Sequence, residues 1–314
     1  MTVAQQLDVI GLGLATLDVL VRHKEMPTWQ QGTRLAAIGF DGGGWVATAM
    51  VAAARLGARV GFVGTAGTDT AAELKLRSMV DCGIDLSHLV RRPGPDDAVV
   101  LVHVHSETGE RVFSVMQEGP RNPLGIDEID RAYITSAAYL LVDGFHPGAQ
   151  LEAAKWMQAA GGTVVMDGGA ADRPISEYRR ALVPHVDVLI TGEGFAAGLT
   201  GKTDICEAGA AILGMGPRVF VETVGPRGCF TITKHERFLT PAFPIDVVDT
   251  TGAGDVFHGA YIVGLLHGWN LAQVAQFSSA VSAIKCMRLG GRVGIPSFEE
   301  TLAFLKARGI DLHP

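Results

Sequence analysis

The chain is poor in the features that mark several common protein classes. Its 314 residues hold four cysteines, Cys82, Cys206, Cys229 and Cys286, far apart and without a C-x-x-C pair. A disulfide scaffold or a zinc site is not expected from that spacing. Free thiols in a reducing, cytoplasmic compartment are the expectation instead. No run of about 18 uncharged apolar residues occurs, so no membrane span is expected. Met1 to Asp8 lacks the basic-then-apolar order of a secretion signal. Dense Lys/Arg runs are missing and the formal net charge is -7, which argues against nucleic acid as a partner. Anionic small molecules stay open, because backbone N–H cradles hold phosphate without basic side chains. No internal repeat or low-complexity segment is visible.

Glycine is abundant, with 40 residues in a chain that is 47% hydrophobic, as suits an α/β fold with many tight turns. Leu7–Leu14 is a short apolar run ending in glycines, followed by Asp18 and a strand continuing through Val19–Val21. Arg34–Phe40 predicts a strand broken by Asp41–Gly44. Trp45–Gly57 predicts an Ala-rich helix, Arg59–Gly64 a strand and Thr70–Asp81 an amphipathic helix. Ala98–His105 and Arg111–Gln117 alternate around the turn Glu107–Glu110, a hairpin signal. His103 and His105 share a strand face, but without a third ligand they read as a polar face rather than a metal site. From Ala138 onward strands and helices alternate in the βαβ rhythm of a parallel sheet: Tyr139–Val142, Ala149–Ala160, Thr163–Met166, Val186–Ile190, Cys206–Leu213 and Val219–Glu222. Ligands in such sheets sit beyond the carboxyl ends of the strands, which singles out Asp143 and Asp167, either as ligand groups or as turn acids.

The densest motif is Asp249-Thr250-Thr251-Gly252-Ala253-Gly254-Asp255. It follows a β-rich run, Pro241–Val248, and leads into an apolar segment with helical spacing from Ala260. A helix start carries unpaired N–H groups and the positive end of the macrodipole, and glycines let an anion approach closely. Beside that cradle stands a carboxylate, Asp255. An anion hole next to a base suits phosphoryl transfer onto a hydroxyl; a capped helix start is the plainer alternative. The lysine of a P-loop is missing, and Gly11-Leu12-Gly13 lacks the third glycine of a dinucleotide site.

The whole string resembles the C-terminal signature of the ribokinase-like (PfkB family) sugar kinases. The resemblance covers nearly the whole chain and implies a three-layer α/β/α domain over residues 1–314. It has a central, mostly parallel sheet and a small β-sheet lid, from about 17–41 and 97–118. It implies an ATP-dependent sugar kinase in which Asp255 is the general base and Gly252, Ala253 and Gly254 form the anion hole. Asp18 takes the place of the acid that binds sugar hydroxyls. Gly43 and Gly44 match the paired glycines before the first long helix, and Thr48 stands where the family has a sugar-binding Asn. Asp143 is a candidate sugar contact and Asp167 a group behind it. Gly64–Asp69 resembles the family's Gly-x-x-Gly-x-Asp loop. Thr223, Gly225 and Gly228 match its loop beneath the nucleotide phosphates.

The family's Asn-x-x-Glu pattern, tied to magnesium, is replaced by Gly192 and Phe195. Glu193 remains as a carboxylate that could act on Mg2+ through water. The family often has a monovalent cation site, such as K+, in the C-terminal region, and often a homodimer through the lid. The stretch Pro241–Pro296 resembles the sulfofructose kinase branch most. The Lys and Arg that clamp sulfonate there correspond to Thr33 and Gly144, so a neutral hexose, ketose or sugar acid is favoured. A sugar- or nucleotide-binding protein without turnover and a nicotinamide-dependent dehydrogenase are the other classes weighed. Intact Asp255 argues against the first, the broken glycine pattern near Gly11 against the second.

Overall fold

The computed structural model of the chain describes residues 7–116, 120–170 and 175–313. β1 (Val9–Leu12) starts the central sheet; β2 (Thr16–His23) and β3 (Leu35–Gly43) leave it for a second one. α1 (Trp45–Arg55) returns the chain to β4 (Val60–Val63), which is followed by β5 (Thr65–Ala66), α2 (Thr70–Asp81) and β6 (Val90–Arg91). β7 (Val99–His105) and β8 (Arg111–Val115) complete the second sheet. Then α3 (Arg131–Ile134), β9 (Tyr139–Val142), α4 (Pro147–Ala159), β10 (Thr163–Asp167), α5 (Glu177–Leu182), β11 (Val188–Gly192), α6 (Phe195–Thr200), α7 (Ile205–Leu213) and β12 (Val219–Thr223) follow. β13 (Cys229–Ile232) and β14 (Arg237–Thr240) form a hairpin; α8 (Ala253–Leu266), α9 (Leu271–Cys286) and α10 (Phe298–Lys306) close the chain.

The large sheet runs in the order β14-β13-β12-β11-β10-β9-β1-β4. From β4 to β12 every neighbouring pair is parallel, and the last two pairings are antiparallel. Its strands are apolar throughout because both faces are covered. Val9, Phe62, Leu141, Val165, Ile190 and Val221 face α1, α2, α8 and α9. Ile10, Leu140, Val142, Val164, Leu189 and Phe220 face α4, α6 and α7. Truncating a fully buried ring such as Phe62 or Phe220 to alanine would cost about 3–5 kcal/mol. Helix starts follow local chemistry. Asp69 caps α2 by accepting from Ala72 N, and Asn270 with Gln273 and Ser297 with Glu300 form capping boxes on α9 and α10.

The lid is the four-stranded sheet β3-β2-β7-β8, with β2 parallel to β7 and the other two pairs antiparallel. β3 does not stop at Phe40: Asp41, Gly42 and Gly43 pair with Asp18, Leu17 and Thr16, so the break comes only at Gly44. β8 ends at Val115, and Gln117 lies outside the described residues.

Two further expectations are corrected. Pro241–Val248 forms no strand; Pro241 and Pro244 cannot donate to a ladder, and Val248 N turns to Cys286 O at 2.9 Å. The antiparallel hairpin β13–β14 occupies the sheet edge instead. The helix after the glycine motif also begins earlier than the helical spacing from Ala260, at Ala253.

Candidate active site

The carboxyl ends of β9, β10, β11 and β12, the end of β3 and the start of α8 converge below the lid, and the sequence-predicted residues lie on these elements, on β2 and α1, and in the turn after β12. α8 has Gly252 as its N-cap, with φ 73, and no side-chain cap. Only glycine adopts that conformation freely, and a Cβ there would press on the Gly291 carbonyl. Ala253 N donates to Thr250 O (3.2 Å), so one of the three expected anion-hole amides is already occupied. The N–H groups of Gly252 and Gly254 have no partner among the described residues.

Asp255 follows in the first turn, half-buried. Burial, then the charges of Asp167 and Asp18, push its pKa well above the ordinary carboxylate range, against the pull of Arg292 and Lys285. Asp167, at the end of β10, is buried and accepts from Gly169 N (2.9 Å). His258, one turn along α8, lies 3.5 Å from its Oδ1 and 2.7 Å from the Gly254 carbonyl. The acids of three elements, Asp18 of β2, Asp167 of β10 and Asp255 of α8, thus stand close enough to repel one another.

Asp18 sits on β2 opposite Asp41 of β3. Its carboxylate accepts from Thr16 Oγ1 (2.7 Å) and fills the space that a Cβ on Gly43 would take. Gly43 is therefore required by the carboxylate beside it. Burial lifts Asp18 to about 6, with Thr16 and Arg292 opposing. Gly44, φ 91, abuts the Leu14 carbonyl and opens α1.

Two predicted sugar contacts are otherwise engaged. Thr48 is buried and its hydroxyl accepts from Arg292 Nε (3.2 Å). Asp143 is fully buried; its carboxylate accepts from Leu14 N (2.8 Å), Phe145 N (3.0 Å) and Gln150 Nε2 (2.8 Å), so it braces the loop after β1.

In the expected nucleotide loop, Thr223 Oγ1 donates to Thr191 O (3.1 Å), and Gly225, φ 57, opens a short turn with a free face. Gly228 is dictated by packing, since a Cβ would overlap the Thr240 carbonyl. Glu193 is exposed and paired with Arg227 of that loop. A buried neighbour, Glu222, accepts from Ala196 N (3.1 Å), and burial raises its pKa. No group of three or more metal-ligating side chains occurs among the described residues. The Asn-x-x-Glu positions are closed to such a role: a Cβ on Gly192 would meet Ala170 Cβ at 2.8 Å, and Phe195 is buried in the core.

Several residues at the site escaped the sequence. Arg292, 2% exposed, donates from Nη2 to Gly43 O (2.6 Å), from Nη1 to Ser78 Oγ (2.8 Å) and from its backbone N to Asp41 (3.0 Å). Lys285 is fully buried under the glycine turn. Arg111 reaches from β8 to the Thr250 hydroxyl, so the lid touches that turn. Arg179 lies over Trp45 (4.6 Å) and Phe145 (5.2 Å), and a Cβ on Gly144 would meet its Cγ at 2.7 Å. The only signal for Arg292 was its place after Gly290-Gly291; Lys285 sits in an apolar helix that predicts nothing about its ammonium.

A family model, pfkB family carbohydrate kinase, matches residues 6–297. The ribokinase of Haemophilus influenzae is 26% identical over 84% of this chain and 87% of its own length. The 5-dehydro-2-deoxygluconokinase of Shouchella clausii is 26% identical over 98% of both chains. Among solved structures, the ribokinase of Thermotoga maritima superposes with a TM-score of 0.83 at 26% identity, over 96% of this chain and 99% of that one. An Arabidopsis thaliana ribokinase complexed with ribose and ATP shares the fold, with a TM-score of 0.82 at 24% identity, over 96% and 99% of the two chains. No helix among the described residues is long and apolar enough to cross a membrane. A half-buried carboxylate in the first turn of an uncapped helix, below a four-stranded lid, is thus found in a chain matched along most of its length, and the chain belongs to the pfkB family of carbohydrate kinases.

Proposed function

We propose that the chain transfers the γ-phosphate of ATP to a hydroxyl of a small sugar, a hexose, ketose or sugar acid, with Asp255 as general base. The observation that carries this reading is the placement of Asp255 beside the open Gly252 and Gly254 amides at the start of α8. Its raised pKa suits a general base, because a carboxylate pushed upward by burial and by Asp167 takes a proton more readily than an ordinary one. The sugar hydroxyl is deprotonated as it attacks in line, and the two amides hold charge developing on the transferred group. Asp18 orients the sugar by accepting from its hydroxyls. Arg179 covers the side of the cleft where Gly144 leaves no room for a clamping side chain.

ATP as donor is supported by the family and by the ATP held in the Arabidopsis ribokinase. The exposed turn at Gly225 suits the phosphates. Magnesium bound with the nucleotide would supply charge neutralisation at the phosphates; Glu193, after releasing Arg227, and Glu222 would hold its waters.

Asp255→Asn tests the assignment in a coupled assay over a sugar panel. Turnover should fall about 10²- to 10⁴-fold with the fold intact. Retained kcat with normal magnesium dependence would remove Asp255 from the mechanism.

A further inference from the structure

Lys285 occupies the last turn of α9 with its side chain fully buried. Its ammonium donates to the main-chain carbonyl of Asp249 (2.9 Å), the first residue of the catalytic turn. No carboxylate side chain lies within ion-pair distance of it among the described residues. Burial opposes its charge, while Asp249, Cys286 and Asp255 favour it and Arg111 opposes it. A buried ammonium with carbonyl rather than carboxylate ligation is costly, and an ordinary packing residue would avoid it.

The oxygens around it are held in place by backbone and side-chain donors. The Asp249 carboxylate accepts from Thr251 N (2.8 Å), Thr251 Oγ1 (2.7 Å) and Gly290 N (2.9 Å). Thr250 O accepts from Ala253 N (3.2 Å), Gly252 O from Val256 N (2.9 Å), and Cys286 O from both Val248 N (2.9 Å) and Asp249 N (3.1 Å). A dehydrated monovalent ion needs several oxygens that replace its water shell, and the Lys285 ammonium already takes the Asp249 carbonyl among them. It would also sit against a buried positive charge. With Lys285 in place, the turn therefore does not fit a monovalent cation.

We propose that Lys285 is a built-in cation for the catalytic turn, a tethered ammonium that makes turnover independent of added monovalent ions. It acts as a positioning residue: it fixes the Asp249 carbonyl and places positive charge behind the turn that carries the open amides. Because it is covalently attached, its presence does not depend on ion concentration. The proposal rests on the reading of that turn as the phosphoryl-transfer site.

The test is steady-state kinetics of the full chain with choline as the sole monovalent cation, then with potassium at equal ionic strength. Wild-type kcat should change less than about twofold, and its Tm should be the same in both salts. Lys285→Met should lose about tenfold or more in kcat and regain a large part of it with potassium or ammonium, which would also raise its Tm. A lysine that only fills space predicts no recovery by either ion. Activation of the wild type several-fold by potassium overturns the proposal, and so does a folded Lys285→Met that no cation rescues. If Lys285→Met does not fold, Lys285→Gln takes its place and the wild-type comparison stands alone as a test. A wild type inactive in every buffer would indict the reading of the turn instead.

Discussion

Asp255 and Asp18 are carboxylates that the fold makes uncomfortable. Both have their pKa raised, chiefly by burial, Asp18 to about 6. A carboxyl whose folded pKa exceeds its unfolded value keeps its proton longer in the folded state. As pH rises from the usual carboxylate range, near 4, the unfolded chain ionises first, so stability is lost until the folded pKa is passed. These acids therefore weaken the fold at neutral pH and strengthen it in mild acid. Asp255→Asn should lose most turnover yet raise Tm at pH 7 to 8, on the order of 2 °C, with the gain vanishing near pH 4. Thermal scans across pH check this; an unchanged or lower Tm at neutral pH would mean that Asp255 is compensated in the fold. Asp167→Asn removes the largest charge acting on Asp255 and should move the acidic limb of the kcat profile to lower pH. For Asp18, Asp18→Ala should raise the sugar KM far more than the ATP KM. An equal rise in both would reveal damage to the fold.

At the scale of elements, β3 and α1 meet at Gly42–Gly44, where a lid hinge is expected to lie. Arg292 ties this junction: its side chain holds Gly43 O, Thr48 and Ser78, and its backbone N holds Asp41. The loop after α9 is thereby coupled to the lid. Arg292→Met should cost about 3–5 kcal/mol, read by urea unfolding, because it leaves Asp41 and Asp18 without the buried cation. Amide exchange in β3 should quicken, and exchange rates unchanged there would show that the junction does not depend on Arg292. Sugar added without nucleotide should slow exchange in β3, β7 and β8 if the lid closes and excludes water.

What the sequence reveals follows the same line. α2 and β9 were legible to the residue because Asp69 caps the first and a continuous apolar run makes the second. The run Pro241–Val248 misled because its β-branched residues suggest a strand while its prolines remove ladder donors. The motif singled out Asp255 and its glycines, which the fold places at the start of α8, and the resemblance pointed to Asp18 on β2. Periodicity says nothing about Arg292 or Lys285, since their partners lie 249 and 36 residues away in sequence.

For the whole molecule, the carboxyl ends of the parallel strands form a floor and the lid sheet a roof, and the roof has two open edges. The edge strand β3 exposes Leu35, Ile38 and Phe40; the opposite edge, β8, exposes Val112, Phe113 and Val115. Unpaired strand edges carrying large apolar side chains are a hazard that proteins cover. A homodimer through the lid would cover both, and would place each lid's motion under constraint from its neighbour. Ile38 pairs with Val21, Val21 with His103 and His103 with Val112, so Ile38 and Val112 share one face of the sheet. Ile38→Asp together with Val112→Lys puts charge across that face while touching neither Asp18 nor the catalytic turn. Sedimentation velocity should show the wild type as a dimer and the double variant as a monomer, with the sugar KM raised if closure depends on the partner. If both sediment as the same dimer, the contact lies elsewhere on the molecule. If the wild type is itself monomeric at assay concentrations, each lid works alone.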